Sequence, residues 1–232
     1  MNAPQTLFTQ LAAEFVGTFC LVFAGTGAIV VDHVSGGTIT HPGVALTFGL
    51  IVMATIYTVG DISGAHLNPA VTLGFAVARR LESPKVLPYI LAQLLGALAA
   101  SSTLRLLFPA ETTLGATIPA GPPLQSLVLE TILTAILMLV ILSVSTGARE
   151  KGITAGIAVG SVIALEAMFA GPICGASMNP ARSLAPALVS GHLHDLWIYI
   201  AGPILGALVA VPLCCALRPA GCCIAPGAEP CC

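Results

Sequence analysis

Charge is what this 232-residue chain has least of: eight Lys and Arg and ten Asp and Glu make up 8% of it, where a soluble domain carries about 25%. So few ionic groups cannot cover a 23.4 kDa globule in water. With 56% of residues apolar, the chain reads as a membrane protein whose partner is the lipid bilayer. An excess of positive charge is missing too; a net charge of -2 leaves no basic footprint for nucleic acid. No nucleophile, base and oxyanion arrangement and no phosphate loop is present, which argues against an enzyme. His33, His41, His192 and His194 fall in outer loops without ligand spacing, so neither a metal nor a cofactor is expected.

What is present is six long apolar runs. A span takes about 20 mostly apolar residues, and 7–31, 43–60, 86–108, 124–146, 152–171 and 195–217 qualify. The first run follows a start without Lys or Arg and carries Glu14, which makes it a span rather than a signal peptide. Six crossings put Arg79, Arg80, Lys85, Arg149, Lys151 and Arg218 on one side. The positive-inside bias makes that side cytoplasmic, with both termini there, in a multi-pass protein of the cell (plasma or inner) membrane. Arg105, at the outer end of the third span, is expected to reach headgroups.

The chain is a tandem duplication. Tyr89-Ile-Leu-Ala-Gln-Leu-Leu-Gly-Ala-Leu-Ala-Ala100 aligns without gaps to Tyr199-Ile-Ala-Gly-Pro-Ile-Leu-Gly-Ala-Leu-Val-Ala210, 110 residues later. The segment from Ile62 to Gly74 aligns to that from Ile173 to Ala185 at an offset of 111, and Glu14 corresponds roughly to Glu130. A channel domain over 1–217 therefore divides into repeat one, about 7–108, and repeat two, about 124–217. Each unit has three crossings, so the second copy is inverted relative to the first. Small residues at Ala92, Gly96, Gly202 and Gly206 let helices approach closely.

Asn68-Pro69-Ala70 and Asn179-Pro180-Ala181 occupy matching places in the two halves, each ahead of about ten mostly apolar residues, too few to span. One such tripeptide is an ordinary helix cap; two at repeat positions are a constellation. Asn is a preferred N-cap and Pro a preferred first helical residue, which predicts half-helices over 69–78 and 180–189. Irregular backbone at membrane depth survives only inside protein or along a watery cavity, so both loops fold back into the bundle. Inverted symmetry then brings two positive helix ends and two Asn amides to one midplane spot, which repels cations and orients a hydrogen-bond acceptor.

At these residues the chain resembles the aquaporin and aquaglyceroporin (major intrinsic protein) family over about residues 7–217. The likeness is carried by Glu14-Phe-Val-Gly-Thr-Phe19, Ser63-Gly-Ala-His-Leu-Asn-Pro-Ala-Val-Thr72, Ala92-Gln-Leu-Leu-Gly-Ala97 and Gly175-Ala-Ser-Met-Asn-Pro-Ala-Arg-Ser183. The stretch Phe169-Ala-Gly-Pro-Ile-Cys-Gly-Ala-Ser-Met-Asn179 is more like the branch of plant nodulin-26-like channels and their bacterial relatives than like strict water channels. The resemblance implies an all-α, aquaporin-like six-transmembrane bundle with two re-entrant half-helices, assembled as a homotetramer with one pore per subunit. It implies that Glu14 and Glu130 accept loop amides and brace the loops, with His66 as a further bracing partner. It also implies a selectivity filter of Arg182, three residues after Asn179; Phe48, twenty before Asn68; Ala167, twelve before Asn179; and Ala176, three before Asn179. Two alanines make that filter wide, where strict water channels typically carry a bulky His at the Ala167 position.

Glu166 has no counterpart in the family pattern and adjoins Ala167; an acid inside a span is a functional candidate, and the sequence leaves open whether it faces the pore or a neighbouring helix. Asp61 stands where the family often has His, at the cytoplasmic mouth. Cys214, Cys215, Cys222, Cys223, Cys231 and Cys232 form three adjacent pairs on the reducing side, where a disulfide framework is not expected, and 218–232 reads as a cysteine-rich disordered cytoplasmic tail. The reading is a passive channel that excludes protons and ions and passes small neutral solutes: glycerol, water, and neutral metalloid acids such as arsenous (the neutral form of arsenite) or boric acid. Its alternatives are a strict water channel and a proton-coupled secondary transporter using Glu166. Soft trivalent arsenic favours thiolates, which would give the tail cysteines a capturing or sensing role.

Overall fold

The computed structural model describes residues 5–145 and 149–218. The tail beyond Arg218, with Cys222, Cys223, Cys231 and Cys232, and the side chains of Arg149 and Lys151 lie outside the described residues. Among the described residues are eight α-helices and no strand. Six are long and apolar enough to cross a membrane: α1 (Leu7–Val34), α2 (Thr40–Ser63), α4 (Ser83–Leu107), α5 (Pro123–Val144), α6 (Arg149–Cys174) and α8 (Leu196–Leu217). Two short helices, α3 (Pro69–Val77) and α7 (Pro180–Ser190), begin at the two Asn-Pro-Ala motifs.

Helix ends differ from hydropathy where side chains supply caps. α2 starts at Thr40 rather than 43. Pro42 lies in its first turn, where a missing N–H costs nothing, and Asp32 Oδ1 accepts from the Thr40 amide at 2.7 Å. α7 runs one residue past its expected end, to Ser190, and stops at Gly191 with φ 85°. Arg105 is half-buried and finds partners within the chain. It sits in the last turn of α4, where helix carbonyls are short of donors, and it donates to the carbonyls of Pro109 and Glu111. At the opposite end of the bundle, Arg80 donates to Leu142 O at 3.0 Å and Arg218 to Ser143 O at 3.3 Å. Both cations thereby serve the negative C-terminal end of α5.

The packing repeats with the sequence. α1 packs on α2 and α4, α5 packs on α6 and α8, and α2 meets α6 across the middle. Close approach depends on glycine at each seam: a Cβ on Gly96 would run into Phe15 O of α1, and one on Gly206 into Thr131 O of α5. At the α2–α6 crossing a Cβ on Gly49 would strike Gly160 O, and one on Gly160 would strike Gly49 O. That reciprocity marks the pseudo-twofold of the inverted repeat. The half-helices are shared between halves, α3 and α7 each lying against both α4 and α8. Leu87, Leu91 and Leu95, one helical stripe of α4, are exposed, as a lipid-facing surface requires. Cys20 and Cys174 are free, whereas Cys214 and Cys215 are disulfide-bonded, contrary to the expectation for this tract. Compartment redox decides whether a disulfide persists, but geometry decides whether one can form, and only the first was legible in the sequence.

Candidate functional site

The loops entering α3 and α7 have the same backbone. Gly64, Ala65 and Leu67 carry positive φ, as do Gly175, Ala176 and Met178 at equivalent positions. Left-handed turns at non-glycine residues are unfavourable, and they leave amides unpaired by any helix. Two buried glutamates take those amides. Glu14 accepts from His66 N at 2.9 Å, Leu67 N at 2.8 Å, Ser63 Oγ at 2.7 Å and Gln93 Nε2 at 2.8 Å. Glu130 accepts from Ser177 N and Met178 N, each at 2.8 Å. Both glutamates are fully buried, and a carboxylate in that position is tolerable because its oxygens are met by donors.

Each Asn begins its half-helix with extended backbone and caps it with its own side chain. Asn68 Oδ1 accepts from Ala70 N at 2.8 Å; Asn179 Oδ1 accepts from Ala181 N at 3.0 Å and Arg182 N at 3.4 Å. The amide nitrogens cross between halves: Asn68 Nδ2 donates to Met178 O at 2.7 Å, and Asn179 Nδ2 to Leu67 O at 2.9 Å. This link went unread in the sequence. Each Asn NH2 has two hydrogens, so one locks the opposite loop and one is left for the cavity that both residues line. His66 packs on Phe75 with ring centroids 4.5 Å apart, and its Nδ1 lies 3.2 Å from Thr72 Oγ1. The Thr72 hydroxyl spends its proton on Asn68 O, so Nδ1–H is the donor and Nε2 is left as an acceptor.

Two cavities meet end to end. One runs past Ser145, Ile141, His66, Asn68 and Asn179; the other opens past Asp32, His41 and Thr117. The residues common to both linings are Phe48, Ala167, Ala176 and Arg182, the four that the family resemblance implied for the filter. Arg182 is 3% exposed, its Cζ lies 5.0 Å from the Phe48 ring centroid, and Nη1 donates to Gly115 O at 2.9 Å. Ala167 and Ala176 put only methyl groups into the junction. Glu166 lines neither cavity. It is 1% exposed with both carboxyl oxygens unpartnered among the described residues. Asp61 is exposed and also lines neither cavity. Among the described residues no group of three or more His, Cys, Asp or Glu is placed to hold a metal.

The loop between α4 and α5 supplies parts the sequence reading missed. Besides the Gly115 carbonyl, Thr117 Oγ1 donates to Ser183 Oγ at 2.8 Å, one residue beyond Arg182. The loop is tied to the end of α1 by Glu111, whose Oε2 lies 2.6 Å from His33 Nδ1 and whose Oε1 accepts from Thr113 N at 3.2 Å. Burial pushes the Glu111 carboxyl up, but the bonds from His33 and Thr113 outweigh it and hold it below the usual carboxylate range. A depressed acid contributes stability that is complete above its ordinary range, near pH 4, and is lost as pH falls through its folded value. Glycerol flux through reconstituted protein is therefore expected to fall as the solution bathing this loop is taken below about pH 4, and Glu111→Gln to flatten that dependence. The only sequence signal for this device was a single acid in an otherwise uncharged loop.

The family model described as major intrinsic protein matches residues 3–213. Aquaporin NIP1-1 of Oryza sativa subsp. japonica is 52% identical over 200 residues, covering 86% of this chain and 70% of that protein. Nodulin-26 of Glycine max is 48% identical, covering 86% of this chain and 74% of that one. The X-ray structure of the aquaglyceroporin from Plasmodium falciparum superposes with a TM-score of 0.81 at 28% identity, over 92% of this chain and 96% of that chain. Six apolar helices, two half-helices meeting at reciprocal Asn bonds, and a match that spans nearly all of the helical bundle lead to one assignment: the chain belongs to the major intrinsic protein family of membrane channels.

Proposed function

We propose that this protein is a passive channel for water, glycerol and other small uncharged solutes, with Phe48, Ala167, Ala176 and Arg182 as its selectivity filter. The observation that carries this reading is the junction of the two cavities at those four residues. An Arg guanidinium and two helix N-termini along one path disfavour cations and protons. Oxygen acceptors on a passing solute meet donors from Arg182, Asn68 and Asn179, and the Phe48 ring offers an apolar wall to carbon. Two methyl groups on the remaining sides leave room for a polyol. The relatives, aquaporins and an aquaglyceroporin by name, support the same solute classes.

Arg80 and Arg218 gather at one end of the bundle, which supports placing that end and both termini in the cytoplasm, in the cell membrane. The homotetramer with one pore per subunit comes from the family resemblance. The proton-coupled alternative needs Glu166 in the solute path, and the lining of the two cavities gives it no support.

A filter this wide also suits arsenous acid, a neutral polyhydroxylated molecule. Cells expressing the chain are expected to take up arsenite several times faster than empty cells, and a truncation after Leu217 to keep that uptake, because the filter and not the tail sets entry. Uptake equal to that of empty cells would remove metalloid acids from the solute list.

A further inference from the structure

The ring of Phe48 fills a notch in α1. Against it lies Gly25, buried in α1 and part of the lining of neither cavity. A methyl group built on Gly25 would overlap Cδ1, Cε1 and Cζ of that ring. The backbone carrying Phe48 has no room to retreat. Its neighbour Gly49 already abuts Gly160 O and Ala164 of α6, so α2 is pinned between α1 on one side and α6 on the other. The ring is the far end of a side chain with two soft torsions, and its open side is the junction of the two cavities, facing Arg182. Whatever fills the notch must drive the ring into the constriction.

We infer that Gly25 is a specificity-determining positioning residue: the absent side chain on α1 seats Phe48 back from the path and so sets the width of the filter from behind. Width at this point then belongs to two helices. Phe48 supplies the wall and Gly25 its depth, and glycine is required here by space, not by backbone conformation, because Gly25 lies inside a regular helix. The inference rests on the proposed filter, in which Phe48 stands in the solute path.

Three variants test it in proteoliposomes by stopped-flow: Phe48→Ala, Gly25→Ala and the pair. Gly25→Ala is expected to lower the glycerol-to-water permeability ratio by about tenfold, since pore diameter discriminates between the two solutes. In the Phe48→Ala background the same change is expected to move the ratio by less than about twofold, because no ring is left to displace. A ratio shift of equal size in both backgrounds would overturn the inference, as would an equal loss of water and glycerol flux in Gly25→Ala. So would a Gly25→Ala protein that fails to fold while the double variant folds, since the seat would then serve stability alone. If Phe48→Ala shifts the ratio and Gly25→Ala does not, this inference fails and the filter stands. If Phe48→Ala leaves the ratio unchanged, the filter assignment itself fails.

Discussion

Glu14→Ala is expected to yield no folded channel, or one whose thermal unfolding midpoint in detergent falls by about 10 °C or more. The Glu14 carboxylate accepts four hydrogen bonds at 2.7 to 2.9 Å in a site with no solvent exposure. Bonds to a charged acceptor are worth about 1.5–3 kcal/mol each, and every buried donor left unpaired adds a penalty of similar size. Against a total stability of about 5–15 kcal/mol, losing them together is decisive. The donors left behind include the amides of His66 and Leu67, beside which Ala65 and Leu67 sit at unfavourable positive φ. The half-helix α3 would lose its support. Glu130→Ala is expected to act in the same direction and less strongly, because fewer donors converge on it. A midpoint for Glu14→Ala within a few degrees of the parent protein would show that the first loop is held by other means.

Ala167→His is expected to cut glycerol permeability by about tenfold or more while lowering water permeability by less than about threefold, because an imidazole narrows the path without closing it to water. Ala167 lines both cavities and contributes one methyl; a His there would project toward the Phe48 ring and Arg182. Equal loss of both fluxes, or loss of neither, would move the constriction away from these four residues.

The half-helices were legible because their chemistry is local: Asn is a preferred N-cap and Pro a preferred first helical residue, and a mostly apolar run of about ten residues cannot cross a bilayer. The duplication was legible because side chains carry it. Features made by main chain, or by the absence of a side chain, were not. Gly115 meets Arg182 through a carbonyl oxygen, the reciprocal Asn bonds end on the carbonyls of Leu67 and Met178, and the seat of Phe48 is a missing Cβ at Gly25. None has a residue type that announces it. The partners of Arg105 were hidden for the same reason, being the loop carbonyls of Pro109 and Glu111. For Glu166 the sequence offered its type and its place beside Ala167, and neither tells that it is buried outside the lining of both cavities.

The measurement closest to the central claim is light scattering from proteoliposomes carrying the purified protein, first shrunk in an impermeant solute and then exposed to glycerol, with no ion gradient across the membrane. Water efflux and glycerol reswelling both faster than in empty vesicles, with no proton current under an imposed pH difference, is the result expected of a passive channel. Glycerol entry that requires a proton gradient, accumulates solute against its own gradient and disappears in Glu166→Gln would contradict it.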